Sequence, residues 1–342
     1  MRKPVLGAFA AAALLVAGCG STAGTSSSGG SGSASAPVTL RLGFLANITH
    51  ASALIGVEKG FFTSALGKAG KLSTTVYNSG TQETTAILAG QIDAAYVGPN
   101  PAINAWQKSR GTAIKIVSGA ATGGASVVVK PGITSAAQLK GKTVATPSLG
   151  NTQDVAVRYW LKQNGITTTT IGGGQVSVKP VAPNSNAVLE FKSGQIAGGS
   201  EPSPYDVQMV KDGGKVLFSE PGVTTNLMVT QTFLKAHPAI VSDLLKGQIE
   251  ANDYIAKDPT AAEQAANTEL TALTGKGIKS SILPAAFREI TFTNDPGASS
   301  LSADAQEAES VGLLKPVNLS GIYDLGPLNQ LLKAAGEPQV KS

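Results

Sequence analysis

The chain has one cysteine in 342 residues, Cys19. An intramolecular disulfide is therefore impossible, a cysteine-ligated metal cluster is excluded, and the fold must rest on its apolar core. Histidine is almost as scarce: His50 and His237 stand far apart in the sequence, which leaves no zinc-ligand set. The 27 basic and 22 acidic side chains give a net charge of +5. That falls to about +3 once Arg2 and Lys3 are removed with an N-terminal signal. The surplus is scattered rather than run together, so nucleic acid is not implied. Neither a Gly-x-Ser-x-Gly elbow nor a P-loop occurs. Gly172-Gly-Gly174 lacks the strand–helix context of a nucleotide loop and reads as a turn. These absences remove the common nucleophilic, metal and nucleotide chemistries and leave no cofactor to expect.

What is present begins with an export signal. Arg2 and Lys3 precede an uncharged, mostly apolar run from Pro4 to Ala17, too short for a span of roughly 20 residues. Small residues then lead to Cys19. Val16-Ala17-Gly18-Cys19 resembles the bacterial lipobox, which implies cleavage after residue 18 and lipidation of Cys19. Residues 20–36 are wholly Gly, Ser, Ala and Thr, with no apolar pattern to bury, and read as a flexible tether. The expected organisation is thus a signal peptide (1–18), a lipid-anchored Gly/Ser-rich linker (19–37) and a folded body. The expected location is the outer face of a bacterial cytoplasmic membrane, within the cell envelope.

From Val38 onward, strand-like and helix-like segments alternate. Val38–Phe44, Leu72–Tyr77, Ile92–Val97 and Ile114–Ser118 read as strands. Between them, Ala51–Phe62, Thr81–Ala89 and Pro101–Lys108 read as helices. The pattern repeats from Leu139 to Phe218, with helices expected at Gln153–Gln163, Asn184–Lys192 and Ser203–Lys211. After Val229 the chain turns helical, at Gln231–Lys235, Ala239–Lys257, Ala261–Leu273 and Leu325–Ala335. The two halves share a detail. Leu88-Ala-Gly-Gln-Ile-Asp-Ala-Ala95 and Phe191-Lys-Ser-Gly-Gln-Ile-Ala-Gly-Gly199 both stop a helix at glycine and turn into a strand. Each strand then ends at a proline, Pro99 or Pro202.

In open parallel sheets, ligands sit beyond the carboxyl ends of the strands. Five loops follow such ends: Leu45–Ser52, Asn78–Gln82, Gly98–Pro101, Pro147–Gln153 and Ser200–Pro202. They are rich in small, hydrogen-bonding residues, and most precede a helix, whose free N–H groups and dipole favour an anion. None contains Lys or Arg, which suits a small anion or a neutral polar molecule better than a phosphate ester. The candidate ligand-binding residues are Asn47, Thr49, His50, Gly80, Thr81, Gln82, Pro99, Asn100, Ser148, Gly150, Asn151, Thr152 and Glu201. Thr49, Thr81, Asn100, Ser148 and Thr152 are the leading donors. For any single loop, helix capping alone is the better explanation; five such loops on one edge point to a site. His50 either bonds the ligand or caps and packs beneath its loop. Glu201 would repel an anion unless it receives an amine or another donor. Asp154 and Arg158 are spaced to pair on one helix, and Trp106 and Trp160 read as core.

These residues carry a resemblance. Leu42-Gly-Phe-Leu-Ala-Asn-Ile-Thr-His-Ala-Ser-Ala-Leu-Ile-Gly-Val-Glu-Lys-Gly-Phe61, Gly90-Gln-Ile-Asp-Ala-Ala-Tyr-Val-Gly-Pro-Asn-Pro-Ala-Ile-Asn104, Leu139-Lys-Gly-Lys-Thr-Val-Ala-Thr-Pro-Ser-Leu-Gly-Asn-Thr-Gln-Asp154 and Gly214-Lys-Val-Leu217 follow one another as in the substrate-binding lipoproteins of ABC importers. The chain is similar to the aliphatic sulfonate, taurine and nitrate binders from Val38 to Gly336. The resemblance implies an α/β, two-lobed periplasmic-binding-protein-like fold of type II, each lobe a mainly parallel sheet flanked by helices. It implies two hinge crossings near Gly123–Val129 and Thr225–Thr230. Lobe one would be 38–127 and 226–342, and lobe two 128–225. It further implies capture of a small sulfonate or similar oxyanion by hinge closure, a permease as partner, and no catalysis. A neutral or cationic heterocycle such as a thiamine pyrimidine precursor is the alternative ligand, and an enzyme on the same scaffold is a third reading. Ser203-Pro-Tyr-Asp206 departs from the pattern, because many relatives carry Trp there.

Overall fold

The structure is a computed structural model and describes residues 36–341. The expected signal (1–18), the lipidation site Cys19 and the tether up to residue 35 lie outside the described residues. Strand β1 (Val38–Leu45) runs through a 3-10 turn, Ile48–His50, into α1 (Ala51–Glu58) and α2 (Phe61–Leu66). Next, β2 (Gly70–Tyr77) leads into α3 (Gly80–Leu88), and β3 (Ala94–Val97) into α4 (Pro99–Lys108). β4 (Ile114–Gly123) and β5 (Ala125–Val129) follow almost without a break. Then β6 (Thr143–Thr146) leads into α5 (Thr152–Gln163), β7 (Ser177–Pro180) into α6 (Asn184–Ser193), and β8 (Gly198–Pro202) into α7 (Tyr205–Lys211). β9 (Lys215–Ser219) and β10 (Val223–Thr230) precede α8 (Gln231–Ala236), α9 (Pro238–Lys257) and α10 (Pro259–Thr274). The chain ends in α11 (Leu283–Arg288), β11 (Ile290–Phe292), α12 (Ala298–Ser310) and α13 (Gly326–Ala335).

Two sheets result, ordered β11-β4-β10-β3-β1-β2 and β7-β6-β8-β5-β9. This is the expected two-lobed α/β architecture. Each sheet has a parallel trio, β2-β1-β3 or β7-β6-β8. Beside each trio lies one antiparallel strand, β10 or β5. The chain leaves the first sheet at Gly123–Gly124 and returns between β9 and β10, at residues 220–222. The return lies a few residues before the segment read as the second crossing, because Val223–Thr230 is a full strand of the first sheet.

Alternation along β1 buries Leu40, Leu42 and Phe44 beneath α1, α9 and α10. The opposite face packs Val97, Ile103, Trp106, Leu301 and Ala305 under α4 and α12. Trp106 is buried, and Trp160 stacks on Phe218 at 6.0 Å. The helix read from Ala51, ending around Gly60, is α1; Gly60 takes a left-handed φ of 72° and a short second helix, α2, follows over the last residues of the apolar stretch. α11, β11 and α12 have no counterpart in the sequence reading.

Candidate functional site

Six strands, β1, β2, β3, β6, β7 and β8, give way to helices at their carboxyl ends, and these ends converge between the two sheets. They line a narrow cleft whose roughly 370 Å³ of space free of protein atoms includes open solvent. From the first sheet it is lined by Leu45, Asn47, Thr49, His50, Gly80, Gly98, Pro101 and Thr224. Pro147, Asn151, Thr152, Gln153, Asn184 and Pro202 line it from the second.

Each donor is set by its local structure. Ser79 caps α3, accepting the Gln82 N–H at 3.3 Å. Asn151 caps α5, its Oδ1 accepting from Asp154 N at 2.9 Å. The first N–H groups of both helices have no intrahelical acceptor and face the cavity end of each helix. The Thr152 hydroxyl is buried without a hydrogen-bond partner. Beneath α5, Arg158 and Asp154 form a fully buried ion pair at 3.0 Å. Asp154 also accepts from Gly150 N at 2.9 Å and Thr146 Oγ1 at 3.1 Å, which fixes the loop before α5.

His50 Nδ1 accepts the Leu45 N–H at 3.2 Å, so the ring proton belongs on Nε2. Burial lowers its pKa to about 3, and the ring is neutral. Thr49 Oγ1 donates to Asn47 Oδ1 at 2.8 Å. No cationic side chain lines the cavity. Behind the wall lie acids instead. Glu201 is fully buried; Asn184 Nδ2 donates to its Oε2 at 2.6 Å while Oε1 has no partner. Burial, then the charges of Asp206 and Glu220, hold its carboxyl well above the usual range against the Asn184 hydrogen bond. Within the Ser203–Asp206 stretch that departs from the family pattern, the Tyr205 hydroxyl donates to Ala46 O across the lobes at 3.2 Å, and burial pushes it up to about 12.

The lobes are in contact. Thr81 Oγ1 and Ser148 Oγ are 2.9 Å apart at the exposed rim, and Ile48 N donates to Ser203 O at 2.9 Å. Val155 of α5 is buried in the apolar cluster of the first sheet beside Leu301 and Ala305.

Of the residues singled out from sequence, Asn47, Thr49, His50, Gly80, Asn151 and Thr152 line the cavity. The others stand elsewhere. Thr81 and Gln82 are exposed, Thr81 pairing with Ser148 across the rim. Pro99 and Asn100 open α4, and Asn100 turns toward α12, donating to Asp304 O at 3.1 Å. Gly150 takes a left-handed φ of 74° at the loop shoulder. Glu201 stands behind Asn184. Leu45, Gly98, Pro101, Pro147, Gln153, Asn184, Pro202 and Thr224 line the cavity and were not singled out. Asn184 opens a helix after a strand on the same sheet edge, the rule that selected the other loops. Among the described residues, no group of three or more His, Cys, Asp or Glu is arranged to hold a metal ion.

A two-lobed α/β protein with a cleft of helix N-termini between its sheets is the class that fold and site define. The chain belongs to the NMT1-like family, whose model matches residues 33–270. No curated protein matches it. Among solved structures it is similar to the alkanesulfonate-binding protein SsuA from Xanthomonas axonopodis pv. citri bound to MOPS. There the TM-score is 0.71 at 16% identity, covering 85% of this chain and 99% of that one. The periplasmic nitrate-binding protein NrtA from Synechocystis PCC 6803 gives 0.71 at 17% identity, over 88% and 90%. A cysteine-to-serine mutant of DszB in complex with biphenyl-2-sulfinic acid gives 0.62 at 16% identity, over 86% and 99%. The resemblance read from the sequence, to the sulfonate- and nitrate-binding proteins of ABC importers, agrees with these findings.

Proposed function

We propose that this protein is the extracytoplasmic solute-binding component of an ABC importer. It captures a small sulfonate or similar oxyanion between its lobes and delivers it to a membrane permease. The observation that carries this reading is the convergence of helix N-termini from both sheets on one cavity without a cationic side chain. Unpaired N–H groups and hydroxyls held in a low-dielectric cleft stabilise a monoanion through many short hydrogen bonds. Because donors come from both lobes, ligand binding favours the closed arrangement, which is the mechanism of hinge capture. Solved relatives named for alkanesulfonate and nitrate support this class of ligand. In this reading the protein is exported, tethered through a lipid on Cys19, and performs no chemistry. Among the described residues no helix is long and apolar enough to cross a membrane.

A second reading rests on Glu201. Its unpartnered oxygen, beside cavity-lining Asn184, suits a donor-bearing heterocycle such as a thiamine pyrimidine precursor. A thermal-shift panel of alkanesulfonates, nitrate, bicarbonate and aminopyrimidines on the purified protein separates the two, since a ligand of the folded state raises Tm by mass action. A rise with sulfonates supports the first reading. A rise with aminopyrimidines alone replaces it with the second.

A further inference from the structure

Two carboxyl groups from opposite lobes meet beside the outward crossing, Gly123–Gly124. Glu289, between α11 and β11, is fixed on the first-lobe side. Its neighbour Ile290 pairs with Gly123 in the β11–β4 ladder, and a Cβ on Gly123 would lie 2.7 Å from the Glu289 carbonyl. Ser203 and Asp206 are fixed on the second-lobe side, because Ser203 N donates to Gly124 O at 2.8 Å. The Ser203 hydroxyl donates to Asp206 Oδ1 at 2.7 Å and lies 3.3 Å from Glu289 Oε2. α7 is docked on the first lobe at this point: Val207 is buried in the apolar cluster of the first sheet, and Ile48 N bonds Ser203 O. Rotation about the glycine pair therefore changes the separation of Asp206 and Glu289 directly.

This contact is one hydrogen short. A single hydroxyl hydrogen does not serve two carboxylates at once. Asp206 Oδ1 also takes the Val207 N–H at 2.7 Å, while Oδ2 is buried without a partner. Facing carboxylates in a low-dielectric contact do not both ionise, and the proton that one keeps supplies the missing bond. Burial, then the charge of Glu289, hold the Asp206 carboxyl well above the usual range against the hydrogen bonds from Ser203 and Val207. Among the described residues, neither acid takes part in an ion pair. The surrounding groups supply no cation either. β8 brings Glu201, another raised acid. The turn that holds Ile48 brings His50, which is neutral. On α6, Glu190 pairs with Lys179 and Lys192 is exposed. Arg288 is exposed and acts on Glu263.

We propose that Asp206 and Glu289 form a proton-operated latch at the hinge: a proton shared between them holds the lobes together, and its loss to solvent drives them apart. The closed form binds a proton that the open form, with both acids hydrated, releases. Closure is therefore favoured in acid and lost as pH rises through the Asp206 ionisation. The latch acts on closure itself and goes beyond the solute-binding reading, whatever the solute. Capture is tighter in acid than at higher pH, since ligand and proton select the same closed state.

The test needs no ligand. Small-angle scattering of the purified, ligand-free protein between about pH 5 and about pH 8 reads the closed-to-open ratio, which falls by up to about tenfold per pH unit for one proton. In Asp206→Asn and in Glu289→Gln the ratio stays at its acid value throughout, because an amide N–H stands where the proton stood at every pH. Glu289 is exposed, so Glu289→Gln keeps the test decisive if Asp206→Asn does not fold. A wild-type ratio that does not change with pH overturns the inference and leaves the solute-binding reading standing. So does a fall that survives both variants, which assigns the response to another acid such as Glu220. Closure near pH 8 by calcium chloride, beyond that given by sodium chloride of equal ionic strength, makes the pair a cation site and overturns the inference as well.

Discussion

Glu220 stands in the return crossing between the two sheets, its carboxylate accepting from Ser200 Oγ at 3.3 Å and Gln153 Nε2 at 3.4 Å. Burial raises its pKa from 4.5 to about 7 against those hydrogen bonds. The folded state therefore holds a proton there that the unfolded chain has released. Stability from this group is present below pH 4.5 and lost as pH rises through 7, by about 3 kcal/mol at 1.36 kcal/mol per unit. Glu220→Gln keeps an acceptor and removes the ionisation. Denaturant titrations should find it equal to wild type near pH 4.5 and more stable by 1–3 kcal/mol at pH 8, an order-of-magnitude expectation; a pH-independent difference would refute the assignment. His50 acts in the opposite sense. Its pKa is lowered to about 3, so stability is lost as pH falls from 6.5, by up to about 1.4 kcal/mol per unit.

Gly98 carries the other prediction at this scale. A Cβ there would lie 2.4 Å from Thr152 Oγ1 of the opposite lobe, and the backbone itself would accept alanine. Gly98→Ala must either hold the lobes apart or turn the Thr152 hydroxyl away. We expect ligand affinity to fall about tenfold, equivalent to 1.4 kcal/mol, with Tm of the unliganded protein unchanged. An unchanged Kd would mean that the two lobes do not close to this distance on the ligand. In this loop Pro99 and Asn100 stood out from the sequence, and the glycine did not. Composition marks a donor but not a close approach from another lobe, so Gly98 was illegible where Thr152 was plain.

At the scale of elements, α5 shows what spacing can and cannot say. Its start, its Asn151 cap and the Asp154–Arg158 pair were all legible, because capping and four-residue spacing are local. Its burial was not, and burial changes the meaning of the pair. A fully enclosed guanidinium bonded to Asp154, Thr169 O and Val178 O is a costly group to orphan. Arg158→Met should lower unfolding free energy by about 3–5 kcal/mol, since it strands a buried carboxylate. The double change Asp154→Leu with Arg158→Met should recover most of that stability. It should not recover ligand affinity, because Asp154 also holds Gly150 N and Thr146 Oγ1. Denaturation and titration on the three proteins check both halves, and a double variant that binds as wild type would show that the loop needs no such anchor. α12 is the opposite case. Its buried residues are Leu301, Ala305 and Ala308, and two alanines do not draw an apolar stripe. The helix was invisible for that reason.

For the whole molecule, the repeated strand–helix pattern made the two lobes legible, while the second crossing was set too late in the chain. A pattern of alternation does not say to which sheet a strand belongs. The crossings that join the lobes are narrow. Gly123 and Gly124 are consecutive left-handed residues, with φ of 71° and 73°, and the return is only residues 220–222. Against this, the contacts that draw the lobes together are of two kinds. The rim pair Thr81–Ser148 is exposed and worth no more than about 0.5–1.5 kcal/mol. The inner donors, Thr152 Oγ1 and the first N–H groups of α3 and α5, have no protein acceptor and reach full value only when a ligand bridges them. Closure should therefore be weakly favoured alone and strongly favoured with ligand, in proportion to the ligand's differential affinity for the closed state. Small-angle scattering should find the radius of gyration falling on ligand addition toward the ~19 Å of a compact body of this length. Thr81→Ala with Ser148→Ala should widen the unliganded form and weaken binding two- to tenfold, within the value of one such bond. A radius that is already minimal without ligand, and unmoved by the double variant, would place the closing energy in the Val155 contact with α12 rather than in the cleft.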